Sequence, residues 1–493
     1  MTQVEAGAPS IAALQQRLGA AWEANRIGSR VHHVMVVLPS YSLAETLLEH
    51  YGERIAPLEH RYLVASLSLP RYPNCEMVFV TCQDPGPEVL DHYFGLLPAE
   101  ERDQARRRFR LLVVDDPTPR AVAPKLLERA DLLRELQSSI GDRLAYIEPW
   151  NVGHDEVQLA LALGLPLYGT PAELWPLGYK SAGRRLLVEA GVTVPFGVED
   201  VRSVEQAVAA AETIRRHRPR ASALVIKHDD SGGGDGNQLI DLAGLDPEPA
   251  SARAVIRSRI QALPHWYLEN LGAGAVVEER IEGEAFASPS VQITIEPSGE
   301  IAVFSAHEQV LGGKAGQTYS GCRFPADPSY AAELGRHGVA VGEVLRDHGV
   351  LGRVGIDFVA TRGPEGWSLH GLEINLRKGG TTHPFAVLRH LVRGNYDPGT
   401  GTLREPGGPA KYYSASDNMV DPAWTVLTPA AVIKAVDGAG LTYDRARGTG
   451  VVLHMLSCLA IDGRFGLTAI GDSPEQAADL YEATGAVVNA LTA

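Results

Sequence analysis

Short apolar runs alternate, over the first third of the chain, with stretches in which apolar residues return every three or four positions. These are the periods of buried strands and amphipathic helices. The runs at 31–39, 62–69, 77–81, 109–115 and 143–149 predict strands. The helical period at 11–24, 42–50, 121–138 and 155–163 predicts helices between them. Such alternation specifies a mostly parallel α/β sheet. The turn after the first strand, Leu38-Pro39-Ser40-Tyr41-Ser42, is no GxGxxG phosphate fingerprint. This unit is therefore expected to shape a substrate site or an interface rather than bind a dinucleotide.

The pattern changes near residue 174. A helix at 181–190 is closed by Gly191 and stopped by Pro195. A strand at 223–228, a glycine-rich segment and a helix at 250–263 follow. Segments 275–280, 290–296 and 301–309 alternate apolar and polar residues, as antiparallel strands do. A helix at 336–348, strands at 354–361 and 367–376, and a helix at 384–392 complete this part. Residues 397–409 are rich in Gly and Pro and read as a loop or linker. A small unit then runs through a helix at 429–435, strands at 449–460 and 466–471, and a helix at 473–491. The expected fold class is α/β in three domains: a mostly parallel α/β domain over 1–174, an α+β core over 175–425, and a small α/β domain over 426–493.

Composition narrows the functional classes. With 493 residues, 45% of them hydrophobic, the chain can bury large cores. A net charge of −15 argues against non-specific binding to nucleic acid or anionic membranes. Basic residues in the last unit are matched by acids, which disfavours RNA binding there. Cys75, Cys82, Cys322 and Cys458 form no CxxC pair or Cys/His metal spacing and read as ordinary thiols of a reducing cytoplasm. No signal peptide or membrane-length apolar run is seen. His32, His33, His265 and His383 show no metal spacing, and HExxH and GxSxG are absent. Zinc hydrolysis and serine-nucleophile chemistry are thereby unsupported.

Lysine is rare: there are seven, and Lys180, Lys227, Lys314 and Lys378 lie in glycine-rich or acidic motifs. In Glu373-Ile374-Asn375-Leu376-Arg377 the first, third and fifth side chains share a strand face. With Asp357 upstream, two carboxylates and an amide oxygen make a hard-oxygen site suited to Mg²⁺ and nucleotide phosphates. Arg377 can clamp a phosphate or carboxylate at two points. Lys227 ends an apolar strand before Ser231, Gly232, Gly233 and Gly234, a segment that either cradles phosphate or is a flexible hairpin turn. Glu278 to Glu284 either flank an adenine edge and ribose or form a solvated acidic turn. Lys180 and Arg184 share a helix face. Residues 312–321 are either a mobile lid or a glycine-rich surface loop, and His307 is either a substrate contact or a buried polar residue satisfied by neighbours.

Taken in order, Lys180, Lys227 with its glycine loop, Glu278–Glu284, Asp357, and Glu373 with Asn375, the chain resembles the ATP-grasp superfamily over roughly 175–395. The resemblance implies that Lys180 and Lys227 meet the nucleotide phosphates under a loop at 231–237. It implies that Glu278 meets the adenine amino group, Ile281 offers hinge backbone and Glu284 holds the ribose. Asp357, Glu373 and Asn375 would hold Mg²⁺, and Arg377 would face the reacting carboxylate. Ligases of the D-alanine–D-alanine type carry an arginine two positions before the first metal carboxylate. That position is Gly355 here, with Arg353 nearby as the expected substitute. The tail Arg377-Lys378-Gly379-Gly380-Thr381-Thr382-His383-Pro384 and the three-part layout look instead like the pheganomycin-type peptide ligases, which have a pre-ATP-grasp domain, an ATP-grasp core and a small C-terminal domain.

The implied activity is an ADP-forming ligase that uses ATP and Mg²⁺. It would join an amino-acid carboxylate, N-capped or unusual, to the amine of an amino acid or peptide in natural-product assembly. Two alternatives stay open: a phosphotransferase acting on a hydroxyl, and an ATP-binding regulator without turnover. Expected partners are small molecules, with neither nucleic acid nor membrane, and homo-oligomers are admitted.

Overall fold

The computed structural model describes residues 10–43, 45–231, 236–245, 248–312, 318–405 and 407–492. The first sheet contains β1 (His33–Leu38), β2 (Cys75–Thr81), β3 (Phe109–Val113) and β4 (Leu144–Pro149), all parallel, in the order β3-β2-β1-β4. Every residue of β1 is buried, as a central parallel strand requires. Met35 and Val37 face one core, and Val34, Val36 and Leu38 face the other. Residues 62–69, expected as a strand, instead belong to a 3₁₀ helix, His60–Arg71. Leu63, Ser66 and Leu69, three apart, are all buried, which is the period of that helix. Burial against neighbouring helices overrode the β propensity of the segment.

The second sheet is antiparallel: β5 (Gly197–Val201), β6 (Ala223–His228), β7 (Asn237–Asp241) and β8 (Ala275–Glu279), in the order β5-β8-β6-β7. Helices Val204–His217 and Pro249–Gln261 bury their apolar faces with it, through Ala207, Ala211, Ile214, Ile256 and Ile260.

The third sheet is the frame of the molecule. It comprises β9 (Ala285–Ala287), β10 (Pro289–Ile295), β11 (Ile301–Gly312), β12 (Thr318–Phe324), β13 (Gly352–Gly363), β14 (Gly366–Asn375), β15 (Asn395–Asp397), β16 (Thr402–Arg404), β17 (Ala410–Val420), β18 (Gly450–His454) and β19 (Arg464–Gly471). Its main path runs β14-β13-β10-β11-β12-β17-β16-β15, and β19 joins β17 and β18 to it. The expected linker at 397–409 thus holds a small β15–β16 hairpin. Sequence reading missed β17, because buried Lys411 interrupts the apolar alternation. Its ammonium is satisfied by Asp472 and the Gly448 carbonyl. The strand expected at 449–460 ends at His454, where Met455 takes a left-handed φ of 55° and short helical turns follow. All four cysteines are buried and unpaired. Among the described residues, no helix is long and apolar enough to cross a membrane.

The last helix, Pro474–Asn489, is capped by Ser473, whose hydroxyl accepts from the Gln476 amide at 3.1 Å. Ser473→Ala is expected to cost the helix about 1 kcal/mol. Hydrogen exchange at the Gln476 amide should then speed up by about fivefold, readable by mass spectrometry.

Candidate active site

The second and third sheets face one another across a cleft of about 1090 Å³. On one wall, β13 and β14 pair in a register that sets Asp357 directly opposite Glu373 and Gly355 opposite Asn375. Directly opposed like charges destabilise a sheet, so the pair is held by its surroundings. Lys180, at the start of helix Lys180–Glu189, pairs with Glu373 Oε2 and donates to the Ser231 carbonyl at 3.1 Å. The Asn375 amide nitrogen donates to Asp357 Oδ2 and Glu373 Oε1, both at 3.1 Å. Gln309 on β11 donates to Asp357 Oδ1 at 2.9 Å.

The environment separates the two acids. Burial and the facing Glu373 carboxylate push Asp357 above the usual carboxylate range. Burial also opposes ionisation of Glu373, but the Lys180 ammonium outweighs it and holds that carboxyl below its usual range. A cation between the two acids would favour the ionised form of Asp357. Two carboxylates and an amide fit Mg²⁺. Asn375 must turn its amide by a half-rotation to present oxygen, since its nitrogen faces both acids here.

On the opposite wall, the Glu278 side chain is 3% exposed and takes two cations, Lys227 on one oxygen and Arg184 on the other at 2.9 Å. Arg184 also donates to Glu199 and to the Pro195 carbonyl, both at 2.8 Å. Lys180 and Arg184, which share a helix face, are both buried and tie the helix to both walls. Ile281 and Glu282 line the cleft beyond Glu278, whereas Glu284 is exposed and lies off its lining. Gly232, Gly233, Gly234 and Lys314 lie outside the described residues.

The far end of the cleft is built from the other parts of the chain. Arg377 sits over the Trp150 ring, 4.9 Å from its centre, and donates to the Lys378 carbonyl. Tyr41, Arg61, Asp417 and Arg464 also line this end. Lys378 is buried behind it, paired with Glu148 at 2.8 Å. Arg353 does not take the place of the missing arginine. It sits over Phe304 at 4.2 Å, donates to Thr294 and borders a small recess whose lining shares Trp150 and Arg377 with the cleft but not Asp357. The reason is distance, since four residues along β13 from Asp357 is about 13 Å. Gly355 itself faces Gln292, whose amide nitrogen would be 3.0 Å from an added Cβ, so a side chain there would have to push the Gln292 amide aside.

His307 is fully buried among Phe324, Phe385 and Tyr413, and burial pushes its imidazole down to about 3. It lies off the cleft lining. Tyr319, at the edge of the candidate lid, does reach the cleft wall. Sequence reading had no signal for the cleft residues Gln309, Ser290, Tyr41, Trp150, Arg61 or Asp417, which come from strands, loops and the 3₁₀ helix without a local motif.

Residues 252–397 match the family described as IQCH-like, ATP-grasp, and residues 431–484 match the PGM1 C-terminal domain. Over 421 residues the chain is 33% identical to the L-propargylglycine–L-glutamate ligase of Streptantibioticus cattleyicolor, covering 83% of this chain and 85% of that one. It is 22% identical over 390 residues to IQ motif-containing protein H of Danio rerio, covering 68% of this chain. That relative is longer, and the match spans 37% of it. Among solved structures, the fold resembles an ADP complex of N5-carboxyaminoimidazole ribonucleotide synthetase, with TM-score 0.53, 12% identity, and 95% and 99% of the two chains covered. It also resembles a biotin carboxylase nucleotide complex from Campylobacter jejuni, with TM-score 0.54, 11% identity, and 94% and 95% covered. At these identities the likeness shows the fold alone.

Proposed function

The chain belongs to the ATP-grasp carboxylate–amine ligases of the pheganomycin type, and from that membership we propose which of its residues carry the reaction and what it joins. It is an ATP- and Mg²⁺-dependent peptide ligase of natural-product biosynthesis, acting on small molecules. The observation that supports the site assignment is the meeting of Lys227, Glu278, Asp357, Glu373, Asn375 and Arg377 on one cleft.

In this reading a substrate carboxylate takes the γ-phosphoryl group of ATP, and an amine displaces phosphate from the acyl phosphate to leave an amide. Lys227 and Lys180 hold the phosphates, and Glu278 with Ile281 reads the adenine. Glu282, on the cleft wall, takes the ribose role expected of Glu284. Mg²⁺, held by Asp357, Glu373 and Asn375, would offset charge on the transferring phosphoryl group. Arg377, braced over Trp150, orients the reacting carboxylate by its two-point fork. The far end suits a carboxylate at Arg377, which is in no ion pair among the described residues, whereas Arg61 and Arg464 on the same wall are paired with Asp417 and Asp462. The curated relative is named for joining L-propargylglycine to L-glutamate, and a small unbranched amino acid with an acidic one is the pair to try first.

The test uses ATP, Mg²⁺ and a panel of amino acids, with and without hydroxylamine. Hydroxamate together with free phosphate is expected. A stable phosphorylated product would show a phosphotransferase instead and sink the reading. Glu278→Gln keeps the side-chain shape but removes the charge between Arg184 and Lys227. It is expected to raise KM for ATP about tenfold with a smaller change in kcat, as loss of ground-state binding does.

A further inference from the structure

One cluster near the far end is used by nothing above. His383, in helix Thr382–Leu391, Asp417 on β17 and His454 at the end of β18 bring one atom each to a common point. The two Nε2 atoms are 3.1 Å apart, and Asp417 Oδ1 is 3.0 Å from His383 and 2.7 Å from His454. Both imidazoles are at most 2% exposed.

Two ring nitrogens and one carboxylate oxygen, each about 3 Å from the others, have the spacing of one face of a coordination polyhedron. Donors about 2.0–2.2 Å from a shared ion stand about 3.3–3.6 Å apart in a tetrahedral site and about 2.8–3.1 Å apart on an octahedral face, the closer match here. The second oxygen of Asp417 is occupied by Arg61, so Oδ1 alone is left to the imidazoles. Ligating carboxylates are commonly held in this way from outside. The backbone also makes room for the cluster. A Cβ at Gly466 would lie 2.1 Å from His454 Nε2, so any larger residue there drives the ring out of place. Hydrogen bonding alone must share one carboxylate oxygen and the short contact between the two Nε2 atoms among these three groups.

We propose that His383, Asp417 and His454 form a second metal site, for a divalent transition ion bound on one face. The donor set is softer than the oxygen set at Asp357 and Glu373, and it suits Zn²⁺, Co²⁺, Ni²⁺ or Fe²⁺ rather than Mg²⁺. Asp417 lines the cleft, as do Thr381 and Met455, each within two residues of a histidine ligand. The ion thus sits in the wall of the far end and fastens helix Thr382–Leu391, β17 and β18 together.

The test takes the full-length, tag-free protein, stripped by chelator, and titrates it with Co²⁺ in the presence of excess Mg²⁺. One equivalent is expected to bind, with a visible d–d band, and Zn²⁺ should displace it. His454→Ala and Gly466→Ala should each lose the band. Glu373→Gln should keep it, which separates this site from the Mg²⁺ site. Thermal denaturation of each variant distinguishes a lost site from a lost fold. Stripped wild-type protein that stays folded and takes up no Co²⁺ would overturn the proposal, as would a band that survives in folded His454→Ala.

Discussion

Glu373→Gln is expected to lower ADP release by at least about a thousandfold, roughly 4 kcal/mol of transition-state stabilisation. The glutamine keeps the length and packing of the side chain but removes the charge that Lys180 and the opposed Asp357 define. Two effects compete in the resting protein. Loss of the Lys180 pair destabilises, because that ammonium is buried with its side chain 6% exposed. Relief of the repulsion across the β13–β14 register stabilises. Because they oppose each other, the melting temperature should move by only a few degrees while activity disappears. The transition state has no such compensation, since charge on the transferring phosphoryl group must be met by a cation that one carboxylate fewer now holds. Initial rates by coupled ADP assay, with circular dichroism as the folding control, decide it. Near-normal ADP production by a folded variant would remove Glu373 from the metal site.

The parts of this site that were legible in the sequence are those with local order. Glu373 and Asn375 share a strand face by the two-residue period, and Lys227 ends an apolar strand, so both lie where the pattern sends them. The rule fails where the strand stops. Beyond Glu279 the chain no longer alternates, and Glu282 rather than Glu284 reaches the cleft. Arg353 fails for another reason: sharing a face with Asp357 is not proximity when two pleats intervene. The parallel first sheet was readable from its apolar runs, whereas β17 was hidden by a lysine whose partners, Asp472 and Gly448, lie in another segment. The cluster of His383, Asp417 and His454 carried no signal at all. Its members sit on separate elements, and only the pairing of β17 with β19, and of β19 with β18, brings two of them together. Motifs report chemistry carried by one element, and this chain places its far end on several.

Arg377 is where the sequence motif meets Trp150, just beyond the last strand of the first sheet, and its replacement is the second decisive experiment. Arg377→Ala is expected to lower kcat/KM by about 10²–10³, or roughly 2.7–4 kcal/mol, the usual loss on removing a donor aimed at developing negative charge. Arg377→Lys should recover little of it. Lysine restores the charge but not the planar fork that the guanidinium holds over Trp150, 4.9 Å from the ring centre. The lysine variant therefore separates two explanations that the alanine variant confounds. If Arg377 supplied only positive potential, lysine would restore most of the rate. If it orients the carboxylate by two-point contact, both variants fail alike, and Trp150→Leu, which removes the platform but keeps the arginine, fails by a smaller factor of about ten. Hydroxamate yield with each variant reads the first half-reaction directly, and near-wild-type yield from folded Arg377→Ala would move the carboxylate site to another residue.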